Sequence, residues 1–144
     1  MNILVSACLL GMECRYDGSG HLLEELTKLK EIYHLIPVCP EIFGGLQTPR
    51  EPAEIQGDKV ITKTGKDVTA QYQKGAEEIA KLAKFYNSTL AILKERSPSC
   101  GYGKIYDGTF TGTLIPGNGL TAELLNKQGI RIIGESEIIS TLDI

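Results

Sequence analysis

The chain has 144 residues, 42% of them hydrophobic, and a formal net charge of −3, enough to bury a working core in one domain, residues 1–144, without disulfide staples. Negative net charge without a Lys/Arg block gives no electrostatic pull toward nucleic acid or an anionic membrane. With no Trp and only 6% aromatic residues, there is no stacking platform for a single strand either, so small molecules are the expected partners.

The N-terminal segment Met1 to Ala7 has no basic region, and no apolar run approaches the roughly 18 residues that span a bilayer. A cytoplasmic, reducing location is therefore expected for the four cysteines, which leaves their thiols free for metal binding or nucleophilic work. The oligomeric state is left open.

Residues 2–8 are mostly apolar without alternation, as in a strand covered on both faces. A turn-rich stretch at 15–20 comes next. Residues 21–30 then place Leu22, Leu26 and Leu29 at helical spacing, with acids early and lysines late to match the helix dipole. Residues 34–38 read as a second buried strand, so 2–39 form a right-handed βαβ unit. Pro40, Gly44-Gly45, Pro49 and Pro52 make 40–52 a long loop, and a loop of that length in a compact domain is usually functional.

Residues 59–62 with 63–66 read as a short edge strand or hairpin, and Asp67 is placed to cap the helix that begins after it. Across 68–86, Val68, Tyr72, Ala76, Ile79, Leu82, Ala83 and Tyr86 recur at steps of three and four, the longest helical pattern in the chain. A third buried strand at 90–94 leads into a turn-rich loop at 95–103. Thr-rich alternation around Asp107-Gly108 predicts a β-hairpin over 105–114. Helix 119–128, stopped by Gly129, and strand 130–133 complete the pattern. The order implies a single-domain, three-layer α/β sandwich of Rossmann-like or flavodoxin-like type, with a mostly parallel four-stranded sheet and a small hairpin.

Three cysteines sit where buried strands give way to turns: Cys8, Cys39 and Cys100. In a parallel sheet their thiols converge on the carboxyl edge, where such sheets bind ligands. Adjacent strand ends stand about 5 Å apart, the scale at which thiolates can share one iron–sulfur cube, and a fourth position left open suits a reactive centre. A lone cysteine is commonly just a small buried hydrophobe; three at equivalent strand ends are harder to explain that way. Cys14 follows no strand and reads as incidental, with a fourth ligand or a resolving thiol as the alternatives.

Of only four arginines, Arg15, Arg50 and Arg96 fall near a proposed ligand, where guanidinium groups can balance an anionic cluster or grip a substrate. Glu41, two residues past Cys39, is the best general acid/base, and a carboxyl beside an anionic cluster is expected to have a raised pKa. Ser97 and Ser99 flank Pro98 just before Cys100 and offer hydroxyls to sulfur or substrate. Gly44-Gly45, Gly101 and Gly103 read as places where backbone approaches an inorganic group. No dinucleotide or P-loop signature occurs.

Three motifs carry a family resemblance: Ser6-Ala-Cys-Leu-Leu-Gly11 with Arg15-Tyr-Asp-Gly18; Val38-Cys-Pro-Glu-Ile-Phe-Gly-Gly-Leu46 with Pro49-Arg-Glu-Pro52; and Leu93-Lys-Glu-Arg-Ser-Pro-Ser-Cys-Gly101. Together they resemble the bacterial domain-of-unknown-function family whose characterised members are 2-thiouracil desulfidases. The resemblance implies an oxygen-sensitive [4Fe-4S] cluster held by Cys8, Cys39 and Cys100, with one iron open to the sulfur of a thiolated pyrimidine or thioamide. It also implies addition of water to the thiocarbonyl carbon and loss of sulfur without net redox change. Glu41 matches the family's proton-shuttling acid and Ser97 is the closest match for a substrate-side hydroxyl; Arg15, Arg50, Arg96 and Ser99 are expected, from their places near the proposed ligands, to contact substrate. The competing readings are a noncatalytic metal-binding or redox-sensing thiol module, in which Cys8, Cys39 and Cys100 hold zinc or a cluster and Cys14 forms a reversible disulfide, and a thiol-nucleophile transferase with Arg and Glu partners.

Overall fold

The computed structural model describes residues 1–142. Four parallel strands make the main sheet: β1 (Asn2–Ser6), β2 (His34–Val38), β5 (Leu90–Leu93) and β8 (Arg131–Gly134), in the order β2-β1-β5-β8. The α/β architecture expected from the strand and helix order is the one observed.

The helices cover both faces. Alternation within β1 decides the layers: Leu4 points into a cluster with Ile79, Ala83, Leu93 and Leu125, while Ile3 and Val5 point into another with Leu26, Leu29, Ile92, Ile133 and Ile138. The first cluster is roofed by α3 (Thr69–Phe85) and α4 (Leu120–Lys127), the second by α1 (Glu24–Leu29) and α5 (Ile138–Leu142). Counting only the parallel strands, the order is 2-1-3-4, so the winding reverses between β1 and β5; a crevice opens at such a switch point.

Strand β2 forms one border of the sheet. His34 N–H donates to Met1 O at 3.1 Å, so by alternation the Ile36 and Val38 amides also face β1, while positions 35 and 37 face outward. Position 37 is a proline.

Several details differ from expectation. The stretch 40–52 is not all loop: Pro40–Phe43 forms a single-turn helix, α2. Pro40 stands at the first helical position, where its fixed φ favours the turn and its missing N–H costs nothing. The hairpin at 59–62 pairs upstream rather than with 63–66: β3 (Ala53–Gln56) runs antiparallel to β4 (Lys59–Thr62) around Gly57. The later hairpin consists of β6 (Lys104–Tyr106) and β7 (Leu114–Pro116). Asp67 Oδ1 accepts from the Thr69 amide and hydroxyl at 2.9 and 2.6 Å, just ahead of α3. Helix α1 begins only at Glu24, because the Leu23 amide is taken by Leu9 O and Leu22 bridges Leu10.

Candidate active site

The carboxyl edge of the sheet carries the three thiols as the apolar runs require. Cys8 lies in a 3-10 turn, Ala7–Leu9, directly after β1; Cys39 is the residue between β2 and α2; Cys100 closes the loop after β5. All three line one cavity of about 610 Å³, together with Glu41, Ser97, Ser99, Arg15, Arg50 and Arg96. Every residue singled out for chemistry from the sequence therefore faces a common hollow.

The polar wall is built on Glu41. Its Oε1 accepts from Arg50 Nε at 2.9 Å and its Oε2 from Ser99 Oγ at 2.7 Å. Arg50 is well covered, its side chain only 8% exposed, and its other donors reach Gln47 O, Thr48 Oγ1 and Cys14 O. The guanidinium thus ties the 47–50 loop, the Cys14 loop and α2 into one frame. Ser97 plays a different part from Ser99: its hydroxyl accepts the Cys100 amide at 2.8 Å and shapes the turn. Arg15 lies over the Tyr16 ring, 6.0 Å from its centroid, and Arg96 sits at the rim with φ of 72°.

Two hydroxyls serve the Cys100 sulfur. Ser6 Oγ lies 3.4 Å and Ser99 Oγ 3.7 Å from Sγ, and the Lys94 amide in turn donates to Ser6 Oγ at 2.9 Å. Burial pushes the Cys100 thiol up to about 12, against the opposing pull of these two hydroxyls. Burial, reinforced by Cys39 alongside, raises Cys8 to about 11, with Arg15 and Lys94 pulling the other way. Loading a metal centre here releases protons.

Cys14 is not incidental in space. It lines the cavity, and burial with the neighbouring Cys39 and Cys8 raises its thiol to about 12. The Cys39 thiol also approaches Cys14 O at 3.9 Å. Nothing in its local sequence signals this, because the contact depends on the 11–20 loop folding back. That fold is held by the Arg50 amide on Tyr16 O at 2.7 Å and Arg50 Nη2 on Cys14 O at 2.8 Å.

Two of the four glycines make close backbone contacts. A Cβ on Gly44 would overlap the Gln71 carbonyl and one on Gly101 the Ser97 carbonyl, whereas at Gly45 and Gly103 it would meet nothing. Gly44 and Gly101 admit neighbouring backbone.

The donor set fits an iron–sulfur cluster. Three soft thiol donors from three strand ends surround a hollow. Among the described residues no three His, Cys, Asp or Glu side chains gather closely enough to hold a single metal ion.

Comparison with known proteins agrees with this geometry. The family model described as 2-thiouracil desulfurase matches residues 3–137. The chain is 48% identical to the uncharacterized protein YbbK of Bacillus subtilis (strain 168), over 94% of this chain and 97% of that one. It is also similar to the solved structure of the [4Fe-4S]-dependent thiouracil desulfidase TudS, at 43% identity and a TM-score of 0.92, covering 98% of this chain and 95% of that chain.

Proposed function

Because the chain belongs to the 2-thiouracil desulfurase family, we propose that it is a [4Fe-4S]-dependent desulfidase that replaces the sulfur of a thiolated pyrimidine such as 2-thiouracil with oxygen from water. The observation that carries this reading is the meeting of three strand-end thiols and the Glu41 carboxylate in one cavity.

Cys8, Cys39 and Cys100 are the proposed ligands. When bound, the cluster would supply an open iron, a soft Lewis acid that prefers the sulfur of C=S to oxygen and polarises the carbon. The overall change is a hydrolysis: the carbon–sulfur double bond is exchanged for carbon–oxygen, water is consumed, hydrogen sulfide is released, and no electrons are gained or lost. Glu41 takes a proton from the attacking water and returns one as the sulfur leaves. Arg50 and Ser99 aim its two oxygens. Ser99 is the hydroxyl in contact with Glu41, so it is the better placed of the two serines to pass a proton, while Ser97 holds the Cys100 turn. Arg15 and Arg96, at the mouth of the cavity, are proposed to meet the carbonyl oxygens of the substrate.

Oxygen-free reconstitution tests the reading. The expected protein is brown with about four iron and as much labile sulfide per chain, and it converts 2-thiouracil to uracil and sulfide without added reductant. In ¹⁸O-labelled water the label enters uracil. A colourless zinc protein, or turnover that needs a reductant, would overturn it.

A further inference from the structure

Among the described residues three that are not glycine have positive φ. Asn87, at 53°, is of a type that enters the left-handed region readily, whereas Arg96 at 72° and Phe110 at 58° are not. Both of the latter line the cavity. A bulky residue in that region stores strain and persists only where its surroundings hold it there.

For Phe110 the holding groups come from β3. Phe110 lies in the connection 107–113 between β6 and β7. Glu54, 8% exposed, accepts the Gly108 amide at 2.9 Å and the Phe110 amide at 3.1 Å on the one oxygen Oε1, and Gln56 Nε2 donates to Gly108 O at 2.8 Å. A Cβ added at Gly108 would stand 2.8 Å from the Ile55 carbonyl oxygen, so the connection lies against β3. On its other side β6 is tied to the Cys100 loop by a bridge between Ile105 and Arg96. The hairpin is thus fastened to two segments, at Glu54 and at Arg96, that themselves line the cavity.

This fastening leaves one apolar side chain on the cavity wall. Thr109, Thr111, Gly112 and Thr113 are exposed, while Phe110 among them is partly covered. Phe110 belongs to none of the three hydrophobic clusters of the described residues, so core packing does not account for its place. The other aromatic residues on the cavity, Tyr16, Tyr72 and Tyr106, all carry hydroxyls. A pyrimidine presents polar groups only at its edge; its two faces are π-surfaces that gain from an aromatic neighbour. Glu41, Ser99 and the arginines suit the edge, and Phe110 suits a face.

We propose that Phe110 binds the face of the thiolated ring and makes the site choose cyclic thiocarbonyls over acyclic thioamides. The proposal deepens the desulfidase reading and takes its substrate class from it. Strain at Phe110 is what it costs to set an apolar ring on a wall otherwise rich in charge.

Phe110→Ala and Phe110→Tyr are read in the reconstituted holoenzyme. In Phe110→Ala, iron and labile sulfide stay at wild-type values, KM for 2-thiouracil rises about 10- to 100-fold, and kcat changes by less than about threefold, because stacking holds substrate and transition state alike. Phe110→Tyr keeps the aromatic face and stays within about threefold of wild type in both constants. Inhibition by thioacetamide, which carries C=S without a ring, is the same in all three proteins.

Two readouts need no turnover. In titration calorimetry uracil binds Phe110→Ala about 10- to 100-fold more weakly than it binds wild type. Phe110→Gly relieves the left-handed strain and melts at or above the wild-type temperature, whereas removing a ring that served the core would lower Tm. An unchanged KM, uracil binding alike to both proteins, equal weakening of uracil and thioacetamide, or a lowered Tm in Phe110→Gly each overturns the proposal. If iron-loaded wild-type protein releases no sulfide from 2-thiouracil, the desulfidase reading falls, while the uracil titration still decides whether Phe110 holds a pyrimidine ring.

Discussion

The four parallel strands end at one edge of the sheet, and their ends are of two kinds. β1, β2 and β5 each give onto a cysteine that faces the cavity. β8 gives onto Glu135, whose Oε1 accepts the Glu95 amide at 2.7 Å while its carboxylate pairs with Lys94 Nζ at 3.1 Å. Glu95 reciprocates by accepting from Ser136. The outer strand thus braces the start of the Cys100 loop and offers no thiol. A parallel sheet repeats one backbone geometry at every strand end; the residue placed there decides whether that end supplies donors to a cofactor or stiffens a neighbour that does.

The sharpest way to break this division is at a thiol-bearing end. Cys100→Ser should reduce retained iron from about four per chain to background and abolish sulfide release, since two remaining thiolates would leave two of the four irons without a protein ligand. Iron and labile-sulfide assays on oxygen-free protein decide it, and full iron with full turnover would remove Cys100 from the ligand set.

At the bracing end the expected effect is smaller and of another sort. Glu135→Ala strips the partners from the partly buried Glu95 amide and Lys94 and should lower unfolding stability by about 1–3 kcal/mol. Most of the iron remains. Urea unfolding beside iron analysis separates the two effects, and an iron loss equal to that of Cys100→Ser would erase the distinction between the two kinds of end.

Smallest of all should be Cys14→Ser, which removes a thiol held beside Cys39 but attached to no strand end. Iron content and colour are expected to stay close to wild type. Loss of the cluster from this variant alone would add Cys14 to the ligands and shift the boundary of the site from the sheet edge into the 11–20 loop.

Whether a feature is legible in the sequence depends on the range of the interactions that make it. The parallel strands announce themselves because strands covered on both faces must be continuously apolar, as in Leu90–Leu93, all four buried. The cysteines at their ends inherit that legibility. Helix α2 and strand β3 did not show, since a single turn starting at Pro40 and a four-residue strand have too few positions to display a period. The thiol of Cys14 and the hydroxyl of Tyr72 are harder still. The one reaches Cys39 through a loop pinned by Arg50. The other reads as one more apolar position on α3 until the close approach of α2 and α3 sets it in the cavity wall. Ser99 rather than Ser97 reaches Glu41 for the same reason: the choice rests on tertiary approach, not on local spacing.

The proline at position 37 has a consequence for the molecule among its own copies. It stands at an outward-facing position of the border strand β2, where any other residue would present a free amide. A second chain that tried to lengthen the sheet there would find a missing donor and a ring in the way, which discourages stacking into fibrils along that side.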